Sequence, residues 1–181
     1  MPTENERKYV MSLDCENDVK VRANSRFLIH QGYLVASKGI SLRVRSSLKL
    51  GEASEERYYM TFKHTVKGRV IEIEQRIDKR DFTDLWEVSM NKLVKVRYKV
   101  KDARKHTWEI DFFRDHHDHT YFVMAEHEMP EGQTEPAAMP SEVSENLLFA
   151  VPLTDTRFSS KLLADVRYAK SMYHELKKES R

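Results

Sequence analysis

Alternation of charged and apolar side chains runs through most of this chain. In Ile40-Ser41-Leu42-Arg43-Val44-Arg45 the apolar residues hold the even positions and the polar ones the odd. Successive side chains of a β-strand point to opposite faces, so this period of two gives one apolar and one polar face. Strand patterns of this kind cover 4–13, 27–36, 40–47, 57–65, 69–77, 93–102, 106–114 and 120–129. Lys67-Gly68 reads as the turn of a hairpin. Helical spacing takes over at 79–90, where Phe82, Leu85, Trp86 and Met90 share a face. A polar helix is predicted over 16–26 with Asp14 as its N-cap, a short one near 141–149, and a longer one over about 159–178. Residues 130–140, rich in Pro, Glu and Gly, read as a loop, and no solenoid repeat or low-complexity tract occurs. The pattern predicts one α+β domain over 1–181. Its eight mostly antiparallel strands suffice to close a barrel with helices packed outside.

The charges on the polar faces change this picture. Glu4, Glu6 and Lys8 stand at i, i+2 and i+4, and the spacing returns as Arg43/Arg45, Thr61/Lys63, Glu72/Glu74, Lys95/Arg97/Lys99, Glu109/Asp111 and Glu126/Glu128. A merely wetted sheet face mixes in Ser, Thr, Asn and Gln; these rows are almost purely ionic and keep like charges together. Two carboxylates ~7 Å apart repel by about 2 kcal/mol at an effective dielectric of 20. Such rows are costly unless a counter-ion is supplied. With the apolar faces outward under helices, the ionic rows line a tunnel. Its acidic set suits Mg²⁺ or Mn²⁺, and its basic set suits phosphate.

Composition narrows the classes. The 31 basic and 29 acidic residues nearly cancel to a net charge of +2, which argues against a general nucleic-acid or membrane binder. The single Cys15 excludes an intramolecular disulfide and fits a reducing compartment. With no apolar run of ~18 residues, a cytoplasmic protein is expected. His116-His117-Asp118-His119 offers metal-ligating side chains, but adjacent residues diverge, and the segment reads as a polar hairpin turn. The apolar positions of 162–176 predict a helix packed on the barrel or on a second subunit, so monomer and homodimer both stay open.

Glu4-x-Glu6-x-Lys8 resembles the ExExK signature of the CYTH, or triphosphate tunnel metalloenzyme, family. Arg43-x-Arg45, Thr61-x-Lys63, Arg69-x-x-Glu72-x-Glu74, Lys95-x-Arg97, Glu109-x-Asp111 and Glu126-x-Glu128 follow in the family's order. Asp155-x-Arg157-Phe158-Ser159-Ser160 is similar to its closing D-x-R-Y-S-N, with Ser160 where Asn is common and Pro152-Leu153 where Val-Thr is usual. The resemblance implies an eight-stranded barrel that hydrolyses a linear triphosphate, such as tripolyphosphate, with Mg²⁺ or Mn²⁺. It implies metal-side carboxylates at Glu4, Glu6, Glu109, Asp111, Glu126 and Glu128. Phosphate would be held by Lys8, Arg43, Arg45, Lys63, Lys95, Arg97, Arg157 and Lys161. Glu72 and Glu74 would bind metal or anchor the basic side chains. One metal would bridge phosphate oxygens and a second would activate a water for in-line attack on a terminal phosphorus, with Tyr33 or Lys95 as base. Thiamine, nucleoside or RNA 5′-triphosphatase and class IV-type adenylate cyclase are alternatives within the family. A non-catalytic polyphosphate-binding module is the alternative from another class.

Overall fold

The computed structural model describes residues 5–37, 39–66, 69–130, 132–136 and 138–179. Its strands are β1 (Glu6–Met11), β2 (Ser25–Ser37), β3 (Ile40–Lys49), β4 (Arg57–Val66), β5 (Arg69–Ile77), β6 (Asn91–Lys101), β7 (Thr107–Arg114), β8 (Thr120–Glu128) and β9 (Leu147–Val151). Its helices are α1 (Glu16–Arg22), α2 (Lys79–Glu87), α3 (Ser141–Ser144), α4 (Ser160–Leu163) and α5 (Val166–Glu179). A 3₁₀ turn at Thr156–Phe158 precedes α4.

All pairings are antiparallel, in the order β5-β4-β3-β2-β6-β7-β8-β1-β9. Consecutive hairpins build β2 to β5, α2 carries the chain back to pair β6 with β2, and β1 is held between β8 and β9. Nine strands thus form one sheet where eight were expected. Among the described residues no ladder joins β5 to β9, so the backbone does not close the ring. The sheet nevertheless curls, since Glu6, Arg43, Glu72, Lys95, Glu109 and Glu126 from six different strands line one cavity.

The convex face is apolar and covered by helices. Tyr9, Met11, Tyr98, Val100, Trp108, Ile110, Phe112, Val123 and Ala125 pack there with Cys15, Val19 of α1 and Val143 of α3. On the β2–β4 half, Phe82 and Trp86 of α2 lie against Tyr58 and His30, with ring centroids 5.2 and 5.9 Å apart. The concave face is ionic along only part of its length. One step further along the same rows, Lys8 gives way to Val10, Lys95 to Leu93, Asp111 to Phe113 and Glu126 to Met124, then Phe122. Phe158, Leu163, Ala169, Met172, Tyr173 and Leu176 bury themselves on this apolar floor. The C-terminal segment therefore stoppers one end of the concave face instead of packing only outside the sheet. No helix among the described residues is long and apolar enough to cross a membrane.

Several boundaries differ from expectation. The helix expected over 141–149 stops at Ser144, and Leu147–Val151 becomes β9, taking up the free edge of β1. The C-terminal helix breaks at Ala164-Asp165, where Asp165 Oδ1 accepts from the amides of Arg167 and Tyr168 and starts α5 afresh. The helix after Asp14 ends at Arg22 because β2 begins at Ser25 opposite Lys99, and Cys15, not Asp14, holds the N-cap position, with no side-chain cap. The 79–90 helix ends at Glu87, which leaves Met90 74% exposed beyond its apolar face. The turn at Lys67-Gly68 lies outside the described residues, although β4 and β5 pair up to Val66 opposite Arg69.

Candidate active site on the concave face

The cavity of about 840 Å³ gathers Glu6, Lys8, Tyr33, Arg43, Arg45, Lys63, Glu72, Glu74, Lys95, Arg97, Glu109, Glu126, Glu128 and Lys161 on its wall. Strand register explains how. Glu6 stands directly opposite Glu128 on β1 and β8, and Glu109 opposite Glu126 on β7 and β8. Like charges directly opposite one another destabilise a sheet. Four carboxylates thus converge on three neighbouring strands, with Lys8 among them at 3.4 Å from Glu6 and 3.5 Å from Glu126.

The opposite wall is basic. Arg45 donates to Glu74 at 2.8 Å, Arg43 lies 3.6 Å from Glu72, and Lys63 lies 3.8 Å from the same carboxylate. Thr61 Oγ1 also donates to Glu74, at 2.9 Å. Glu72 and Glu74 therefore stand against the basic side chains, on the margin strand away from the other acids. The Nε groups of Arg43 and Arg45 are buried without a hydrogen-bond partner. An orphaned, buried guanidinium N–H is costly; both side chains also line the cavity, where a phosphate oxygen suits a guanidinium. Burial, then the neighbouring Arg43, pull the Arg45 pKa down, as expected of cations crowded together without enough counter-charge.

Between the walls lies a dense ionic knot. Arg97 donates to Asp111 through Nε and Nη2, both at 2.7 Å, to Glu126 at 3.3 Å, and to Glu109. Lys95 Nζ reaches Asp111 Oδ2 at 2.5 Å. Burial alone would raise the Asp111 pKa, but Arg97 and Lys95 outweigh it and hold the carboxyl well below its usual range. Burial pushes the Lys95 pKa down, aided by Arg97, against the pull of Asp111. Tyr33, buried beside Arg43 and accepting from Gln31 Nε2 at 2.9 Å, has its pKa raised by burial. Lys161 donates to the carbonyl of Ala36 at 2.6 Å, tying α4 to the end of β2.

Two residues named from sequence stand elsewhere, and a third lies outside the described residues. Asp111 lies beneath the wall, with no side-chain exposure and two cations upon it. Arg157 turns outward, 53% exposed and paired with Asp155 at 2.7 Å. Glu4 lies outside the described residues. Sequence reasoning passed over Gln31, Ser41, Ser159 and Ser160, which also line the cavity. Gln31 falls on the Tyr33 face by the same period of two, but an uncharged residue carried no signal in an ionic pattern.

A scan of the sequence against family models finds no match, and a search of the curated proteins finds none either. Solved structures do match. The inorganic triphosphatase NE1496 aligns with a TM-score of 0.56 and 25% identity over 91% of this chain and 95% of its own. A second structure of NE1496 gives 0.50 and 24% over 90% and 97%. HpAC1 from Hippeastrum, an adenylyl cyclase candidate with a dominant triphosphatase activity, aligns with a TM-score of 0.47 and 17% identity over 70% of this chain and 79% of its own. The chain thus has a CYTH-like fold.

Proposed function

We propose that this chain hydrolyses linear triphosphates, inorganic tripolyphosphate first among them, in a reaction that depends on a divalent cation. The carrying observation is a single cavity that gathers Arg43, Arg45 and Lys63 from β3 and β4 together with the opposed carboxylate pairs Glu6/Glu128 and Glu109/Glu126 from β1, β7 and β8. One wall asks for a polyanion and the other for a cation, and a metal-complexed triphosphate supplies both. The 25% identity to an inorganic triphosphatase over nine tenths of both chains supports the same reading.

The donor set fits the metal. It is all carboxylate oxygen, which selects hard Mg²⁺ or Mn²⁺, and it holds like charges in register that Lys8, Arg97 and Lys99 offset only in part. Glu6, Glu126 and Glu128 would hold the ion, with Glu109 adjoining and Glu4 joining them on the sequence pattern alone. When bound, a divalent ion there neutralises phosphate charge and supplies a water of lowered pKa.

The chain's own side chains do the rest. Arg43, Arg45 and Lys63 clamp the phosphate oxygens and oppose the charge that builds on the leaving pyrophosphate. Glu72 and Glu74 keep those cations extended. Lys8, from among the carboxylates, and Lys161, from α4, bind further phosphate oxygens. Arg97 and Asp111 act as a positioning pair, because every face of Asp111 is already taken by Arg97 and Lys95. Tyr33 stays protonated and donates a hydrogen bond. Of the two base candidates, Lys95 has its pKa moved down by burial but donates to Asp111 at 2.5 Å, so it would accept a proton only after that contact opens. Arg157 reaches the substrate only after exchanging Asp155 for phosphate.

Phosphate release measured with tripolyphosphate, ATP and thiamine triphosphate, each with Mg²⁺, Mn²⁺ or chelator, tests the proposal. Release from tripolyphosphate far above the others is expected, with loss in chelator and a fall of at least about a hundredfold in Glu128→Gln, the scale of a lost electrostatic contact in catalysis. Binding without release from any substrate would instead identify a polyphosphate-binding module. Full turnover by Glu128→Gln would overturn the metal-side assignment.

A further inference from the structure

On the convex face, away from the cavity, Asp102, His106 and His127 bring one ligand atom each to within 4.8 Å of one another. We propose that these three side chains form a zinc site, separate from the triphosphate cavity. His127 lies between Glu126 and Glu128 in sequence, and the strand period turns it to the opposite face from both.

Two of the three donors, Asp102 and His127, are already oriented from behind. Asp102 opens the β6–β7 turn, where its Oδ1 accepts from the amides of Arg104 at 2.8 Å and His106 at 2.9 Å. This leaves Oδ2 aimed at His106 Nδ1, 3.2 Å away. His127 Nδ1 lies 3.1 Å from the carbonyl of Thr107. A carbonyl only accepts, so Nδ1 carries the proton and Nε2 is left with a lone pair. Trp108 stacks flat on the ring, with centroids 4.7 Å apart and planes at 7°, and fixes its rotation. A histidine whose second nitrogen donates to a carbonyl is the ordinary supporting arrangement behind a metal ligand. Arg7, opposite His127 on β1, is drawn off by the carbonyl of Thr134 at 2.9 Å and by Glu135, which lessens its repulsion of a cation.

The spacing suits the ion. Tetrahedral zinc with bonds of about 2.0 Å sets its ligand atoms about 3.3 Å apart, so the Asp102–His106 edge is already formed. His106, with a side chain 43% exposed, can swing to close its edge to His127. Asp102 and His127 already bring their ligand atoms within 4.8 Å, and the fourth position is left to water. Two imidazoles and one carboxylate favour zinc over Mg²⁺ on ligand softness, and over Fe²⁺ on the order of divalent affinities.

Titration of the tag-free full chain with Zn²⁺ in excess Mg²⁺ and at pH 8, followed by calorimetry, tests the site. Co²⁺ serves as the spectroscopic probe. One ion per chain is expected, together with the visible bands of four-coordinate Co²⁺. His106→Ala, whose exposed position spares the fold, should weaken binding at least tenfold and abolish those bands. His117→Ala, in the other histidine-bearing turn, should change neither. Failure to bind Zn²⁺ in excess Mg²⁺, or unchanged binding by His106→Ala, would overturn the site and leave Asp102 and His106 as a turn hydrogen bond only. Neither outcome touches the triphosphatase reading, which is measured by phosphate release.

Discussion

Asp111 has no exposed side-chain area and two cations upon it. Replacing it by Asn would leave Lys95 and Arg97 buried with their main counter-charge gone, and breaking a buried pair in this way costs about 3–5 kcal/mol. Asp111→Asn is therefore expected to lower the urea midpoint sharply at pH 7 with little change in slope. The sign with pH follows from the depressed pKa. A carboxyl held below its unfolded value of ~3.9 stabilises fully above that pH, and the contribution fades as pH falls through the folded pKa. Stability of the wild-type chain should thus decline below about pH 4, more steeply than that of Asp111→Asn. Arg45 lends itself to the complementary substitution. Lysine keeps the charge of Arg45 but loses the planar fork and its Nε–H, so Arg45→Lys should raise KM for tripolyphosphate about tenfold, or about 1.4 kcal/mol, while circular dichroism stays unchanged. The ionic rows themselves were legible in the sequence, because a period of two assigns every charge to a face. Depth was not legible. Glu109 and Asp111 are two residues apart on one face, yet Glu109 lines the cavity and Asp111 lies sealed under its cations.

At the scale of elements, the positions of helices against the sheet rest on particular close approaches. Gly32 faces the convex side of β2, and a Cβ there would sit 2.5 Å from Ser89 Oγ, 2.7 Å from Ser89 Cβ and 3.2 Å from the Trp86 ring. Gly32→Ala must push the end of α2 off the sheet, and overpacking of this kind costs about 1–3 kcal/mol, visible as a lower melting temperature. Leu163, fully buried at the end of α4, belongs to the stopper of the concave face. Leu163→Ala should cost about 2–5 kcal/mol by cavity formation. Long alternating strands such as β3 and β6 could be read from sequence because each carries its own pattern. The strand β9 could not, because Leu147-Leu148-Phe149-Ala150-Val151 is a short apolar run without alternation, and only the free edge of β1 decides between helix and strand. The break between α4 and α5 was missed for a related reason. Apolar spacing continues across it, and Asp165 caps the second helix from within the pattern.

For the whole molecule, the sequence pointed to a tunnel, and the charged cavity answers to that expectation in its lining, while among the described residues no ladder joins β5 to β9. The β5 margin carries Glu72 and Glu74 and, among the described residues, pairs with β4 alone. Arg43 and Arg45 on β3 line the same space as Glu6 and Glu126, whose strands β1 and β8 lie toward the other end of the strand order. A metal-bound triphosphate gripped by both sides would brace two flanks that share no ladder, and its binding energy would add to the stability of the assembled form. Amide exchange in β4 and β5 is therefore expected to slow more than in β7 and β8 when tripolyphosphate and Mg²⁺ are added; equal slowing in both pairs would rule the brace out. On the triphosphatase reading, the seam left unjoined among the described residues would make the substrate a removable rivet, with the protein stiffest while loaded and slacker as the products leave.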